Sequence, residues 1–134
     1  MSQITRIPIP GAPEPQHVTM GAAAAGIAMM TQIPSGPGGK IIGRNVSDQT
    51  RQIFENYRAG LTSVGATLDD FMHVTVYLTD IATLGEFASV WNELYPQVGP
   101  NRVALEVSQL ASPEILVETT AVIALPRSGA GPGA

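Results

Sequence analysis

The stretch Pro100-Asn101-Arg102-Val103-Ala104-Leu105-Glu106-Val107 reads as a strand, and Val117-Glu118-Thr119-Thr120-Ala121 reads as the strand that answers it. One carries a cation where an apolar run begins. The other carries a carboxylate inside an apolar run. Neither charge suits a core, because an unpaired buried charge is costly. Arg102 follows a Gly-Pro-Asn turn and so enters its strand at the rim. If the two strands lie near each other, a guanidinium and a carboxylate face one pocket. An ordinary structural salt bridge accounts for the same two charges equally well.

Outward from these strands the pattern is α+β. Thr50, Ile53, Phe54, Tyr57, Leu61 and Val64 recur at helical spacing, with Ser47 as the expected N-cap and Gly65 just past the end. Met72, Val74, Val76 and Leu78 alternate with His73, Thr75 and Tyr77, which predicts a half-buried strand. Thr83-Leu84-Gly85-Glu86 matches a capping box, and Leu84, Phe87, Val90, Trp91 and Leu94 give a second amphipathic helix stopped by Pro96. Residues 27–33 read as a buried strand, and residues 115–125 as the long last one. The proline-rich start leaves room for an edge strand around Ile7 and another short one over residues 17–20, followed by a turn or hairpin of alanines. Both helices are then available to cover one face of a sheet. Residues 1–126 read as one domain and residues 127–134, rich in Gly and Ala, as a disordered tail.

Bulk properties narrow the function. A chain of 134 residues is one domain by length. Apolar residues make up 44% and charged residues 13%, which leaves few charges to cover the surface and points to a face hidden in an oligomer. The net charge of −4 and the single lysine, Lys40, argue against nucleic acid or an anionic membrane as partner. Without cysteine there is no thiolate catalysis and no disulfide. His17 and His73 are the only histidines and belong to no cluster with ligand spacing, so no metal is expected. His73 is expected to be a hydrogen-bonded structural residue, and Trp91 and Met29-Met30 to be core or interface. The apolar run of residues 22–30 is too short to span a bilayer, and no h-region follows the N-terminus, so a cytoplasmic location is the expectation.

Arg102 and Glu118 are the residues with chemistry to offer. A planar guanidinium grips a carboxylate with two parallel bonds, and a glutamate beside it orients water and passes protons. That combination suits hydrolysis or tautomerisation of a small anionic substrate.

Over residues 26–125 the chain resembles the RidA/YjgF group of reactive-intermediate deaminases, also labelled L-PSP endoribonuclease-like. The resemblance is carried by Gln32-Ile33-Pro34, Gln49-Thr50-Arg51-Gln52 with Glu55-Asn56, Val74-Thr75-Val76-Tyr77-Leu78-Thr79-Asp80, Pro100-Asn101-Arg102 and Val117-Glu118. It implies a chorismate-mutase-like fold, a mixed sheet with two helices packed on one face. It also implies a homotrimer with sites in the clefts between subunits, no cofactor, and hydrolysis of an enamine or imine to a 2-keto acid and ammonia. By the same resemblance Arg102 grips the substrate carboxylate and Glu118 positions the water.

Other substrate-contacting positions of the family fall on His17, Met30, Thr31, Leu84, Ala88 and Val103, where this chain departs from the usual polar or aromatic residues. Those departures leave open a non-catalytic binder of small carboxylates or a regulatory trimer. A histidine at position 17 also fits a branch acting on a larger dicarboxylate, 2-aminomuconate, although the loss of Ser-Gly before Gln32 counts against it. Nuclease activity rests on the family label alone.

Overall fold

The computed structural model describes residues 3–126; the tail expected at residues 127–134 lies outside them. The strands and α-helices among the described residues are β1 (Thr5–Ile7), β2 (Gly21–Ala24), β3 (Ile27–Gln32), α1 (Val46–Leu61), β4 (Phe71–Leu78), α2 (Leu84–Leu94), β5 (Asn101–Glu106) and β6 (Val117–Ala124), with short 3-10 turns between some of them. The strands form one sheet in the order β1-β2-β3-β6-β4-β5. All neighbours are antiparallel except β4 and β5, which are joined in parallel by the crossover containing α2.

Both helices lie on one face. Val74, Val76 and Leu78 of β4, Val117, Thr119, Ala121 and Ile123 of β6, and Ala28 and Met30 of β3 are buried there. They meet Ile53, Phe54, Tyr57 and Leu61 from α1 and Phe87 and Trp91 from α2. Phe54 links the two helices, its ring 6.2 Å from that of Trp91 and nearly perpendicular to it. At the centre of this layer the Tyr57 hydroxyl lies 2.6 Å from Thr119 Oγ1. Burial raises the Tyr57 phenol well above its ordinary pKa, so the pair is neutral.

Among the described residues the opposite face has no helix. Ile27, Met29, Val103 and Leu105 are exposed on it, Met29 by 62%. The partly covered residues beside them are His73, Thr75, Tyr77, Glu118, Thr120 and Val122.

Local chemistry differs from the sequence reading in five places. Asn45, not Ser47, caps α1, accepting from the Asp48 amide at 2.8 Å. Thr83 makes no capping bond; its hydroxyl donates to the Asp80 carbonyl, and the reciprocal capping box is Thr67 with Asp70. Residues 17–20 are loop, because the strand starts at Gly21. That glycine packs close to β3: a Cβ there would lie 2.5 Å from the Met29 carbonyl oxygen. The alanines do form a hairpin, turned by Ala25 and Gly26 at positive φ. β3 is buried only on alternate residues. In β4 a bulge between Phe71 and His73 shifts the register, so Phe71 rather than Met72 joins the core, and Met72 is exposed.

Among the polar residues of α1 that carry the resemblance, Gln49, Gln52 and Asn56 are clamps. Gln49 donates to the carbonyls of Gly43 and Glu114 and accepts from the Leu116 amide. Gln52 and Asn56 both donate to the Ser35 carbonyl. Buried amides that fill both roles satisfy loop backbone that no strand pairs.

Candidate functional site

β5 is an edge strand, and its register with β4 decides where its side chains go. Arg102 is opposite Val74 and Ala104 opposite Val76, so both lie on the helix-covered face. Asn101 and Val103 lie on the open face, opposite His73 and Thr75. The Arg102 guanidinium rests over two aromatic rings of α2, its carbon 5.0 Å from the Trp91 ring centre and 5.6 Å from that of Phe87. Among the described residues it forms no ion pair; the only two ion pairs there are Arg51–Glu93 and Arg58–Glu55, both at the exposed surface.

Glu118 sits on the open face, opposite Tyr77 of β4. It is half-buried, it also lacks an ion pair among the described residues, and burial raises its carboxyl pKa. Arg102 and Glu118 therefore occupy opposite faces of the sheet with β4 between their strands. A single chain does not bring the two together, and the simple pocket expected from two neighbouring strands is not formed.

The open face does carry a depression of about 490 Å³ that runs from β2 across β3 and β6 to β4. Thr31, Thr120 and Thr75 cross it as a row on three adjacent strands, and Val18, Thr19, Met29 and Val122 make its walls. His73 borders it with both ring nitrogens occupied, Nδ1 against Asn101 Oδ1 at 2.5 Å and Nε2 against Thr75 Oγ1 at 3.0 Å. Glu118 is two residues from Thr120 on the same face, beyond the depression.

The sequence-derived site residues thus divide. Thr31 lines the depression and the buried Met30 forms part of its floor. His17 is exposed on the loop whose next residues, Val18 and Thr19, line it. Val103 is 45% exposed on the open face, turned away from Arg102. Leu84 and Ala88 are half-buried on α2, but the rings against Arg102 belong to Phe87 and Trp91. Phe87 and Trp91 were missed as site residues because their periodicity reads as core, which they also are. No group of three or more acidic or histidine side chains is arranged to hold a metal among the described residues, and no helix there is long and apolar enough to cross a membrane.

Comparison with known proteins agrees with this architecture. The family model described as Endoribonuclease L-PSP matches residues 16–125. A RutC family protein of Pyrococcus abyssi is 35% identical over 118 residues, covering 87% of this chain and 90% of the relative. Another, from Pyrococcus horikoshii, is 40% identical over 92 residues, covering 68% of this chain and 72% of the relative. Among solved structures, the Rid family protein YyfA of Yersinia pestis superposes with a TM-score of 0.83 at 25% identity, covering 92% of this chain and all of that one. Yeast Mmf1 superposes with a TM-score of 0.82 at 23% identity and the same coverage, a likeness of fold. From the mixed sheet with two helices on one face, the matched segment and these relatives, the chain belongs to the endoribonuclease L-PSP family, the RutC/RidA/YjgF group.

Proposed function

We propose that this protein is an enamine/imine deaminase whose site is built between copies of the chain, Arg102 from one and Glu118 from the next. One observation carries the reading. Two partly buried side chains of opposite charge each lack an ion-pair partner among the described residues, and they lie on faces that one chain cannot bring together. An unpaired, partly desolvated charge is unfavourable unless something else completes it. A homotrimer that covers the apolar open face would supply the partner surface, and the exposed Ile27, Met29, Val103 and Leu105 support such a cover.

In this reading the substrate is a small 2-imino acid. Arg102 receives its carboxylate with two parallel N–H bonds, a charge-assisted contact of about 1.5–3 kcal/mol. Glu118, made more basic by burial, takes a proton from water as the water oxygen bonds to the imine carbon and the C=N π pair moves to nitrogen. The same carboxyl then returns its proton to the amine nitrogen. Glu118 then takes the hydroxyl proton of this carbinolamine and relays it to the nitrogen; as the C–N bond breaks, its pair leaves with ammonia and the O–H pair becomes the carbonyl π bond. The row of Thr31, Thr120 and Thr75 offers hydroxyls to the amine and the water. The net charge of −4 disfavours an RNA substrate.

The test is ammonia and keto-acid release from enzymatically generated 2-iminobutanoate or 2-iminopropanoate. Activity is expected in the wild type and a loss of about 10²-fold or more in Glu118→Gln. Unchanged turnover in Arg102→Ala would rule the mechanism out. A second reading, a carboxylate binder without turnover, is favoured by Trp91 and the other apolar side chains near Arg102. It predicts thermal stabilisation by 2-keto acids and no imine hydrolysis.

A further inference from the structure

We infer that Trp91, with Phe87, is the positioning platform for Arg102, and that this edge of the molecule selects acids with one carboxylate and an apolar side chain. The inference rests on the deaminase reading and deepens it. The rings of Phe87 and Trp91 are 5.8 Å apart and inclined by 35°, and the guanidinium lies over both. A cation on a ring face is held by the ring quadrupole and spends none of its N–H donors. No carboxylate of the described residues pairs with those donors. The plane of the guanidinium is therefore fixed while its edge stays available, which is the arrangement a bidentate carboxylate needs. Trp91 is 6% exposed and Phe87 fully buried, so neither ring has a face left for a ligand. They act through Arg102.

The selectivity follows from what else lies on that face. Along β5 it carries Arg102, Ala104 and then Glu106, whose carboxylate is held by the Ile81 amide at 2.9 Å. The first half of α2 adds Leu84 and Ala88 and no cation. One ligand carboxylate meets Arg102. A second would meet apolar surface, Glu106, or the Glu118 that the neighbouring copy contributes. A dicarboxylate such as 2-aminomuconate is thereby disfavoured.

Trp91 is the sole tryptophan, so its emission reports on events about one ring away from Arg102. The experiment titrates the full chain with 2-oxobutanoate, 4-methyl-2-oxopentanoate and 2-oxoglutarate, following tryptophan emission and binding heat in parallel. The two monocarboxylates are expected to bind and shift the emission, with 2-oxoglutarate at least about tenfold weaker. Trp91→Phe keeps affinity within about threefold, while Trp91→Leu weakens it by roughly three- to thirtyfold, the range of a cation–π contact. Arg102→Lys, which keeps the charge and loses the plane, weakens it as well. Equal binding of 2-oxoglutarate, or wild-type affinity in Trp91→Leu, overturns the inference and leaves the deaminase reading standing. Should Trp91→Leu not fold, binding heat without an emission change in the wild type overturns it alone. Absence of Arg102-dependent binding by any of the acids overturns both.

Discussion

The Tyr57–Thr119 hydroxyl pair beneath the sheet offers a sharp test of how the helix layer is held. Both side chains are fully buried and their oxygens are 2.6 Å apart. Thr119→Val keeps the shape of the residue and removes its hydroxyl, stranding the Tyr57 hydroxyl in a dry site. An unsatisfied buried hydroxyl costs about 1–3 kcal/mol. For a chain of this length that is a fall of roughly 3–12 °C in melting temperature. Tyr57→Phe strands the threonine hydroxyl instead and costs a similar or smaller amount. The double variant removes both partners and leaves apolar groups of nearly the same shape, so it recovers to within about 1 kcal/mol of wild type. Thermal and urea melts at one fixed protein concentration measure the cycle, since assembly makes the midpoint concentration-dependent. The alkaline limb gives a second readout. The unfolded chain loses its phenol protons near pH 10 while the buried phenols of Tyr57 and Tyr95 keep theirs, so stability is level below about pH 10 and falls as pH rises beyond it. Losses that simply add in the double variant would refute the reasoning, because they would mean the two hydroxyls do not depend on each other.

Asn45→Ala is expected to lower stability by about 0.5–2 kcal/mol and Ser47→Ala by less than about 0.5, since only Asn45 caps α1; equal effects in chemical denaturation would contradict that assignment. Glu118→Gln is expected to lower turnover by about 10²-fold or more yet raise the melting temperature at pH 7. Burial raises the folded pKa of Glu118, so its ionised form weakens the fold as pH rises through the carboxylate range, and the gain from glutamine disappears when the pH is lowered again. A glutamine variant less stable than wild type at pH 7 but not at pH 4 would show instead that the ionised carboxylate is a structural partner.

Much of the fold was legible because its periodicities are strong. The α1 stripe from Thr50 to Leu61 and the alternation of Val74, Val76 and Leu78 are set by burial on one face, and they reappear in the core. The site was only half legible. Arg102 and Glu118 announce themselves as charges in apolar strands, but which face each one takes depends on the register of β5 and β6 against β4, a long-range property. The same reason hides the bulge after Phe71, which exposes Met72 and carries His73 to the open face. Phe87 and Trp91 were hidden by a different cause. An aromatic in a helical apolar stripe reads as core filling, and nothing local signals that a cation from another element will lie on its ring. The row of Thr31, Thr120 and Thr75 has no trace in the linear sequence, because three strands far apart in the chain supply one residue each.

Mixing two inactive variants tests most directly whether the site is shared between copies. Arg102→Gln and Glu118→Gln chains are unfolded together in equal amounts, refolded, and assayed for imine hydrolysis against each variant refolded alone. If one copy supplies the arginine and its neighbour the glutamate, random assembly leaves both native residues in about a quarter of the sites, and activity returns to roughly that fraction of wild type. If mixed assemblies form and remain as inactive as either variant alone, the two residues do not meet across a subunit boundary and the account is wrong.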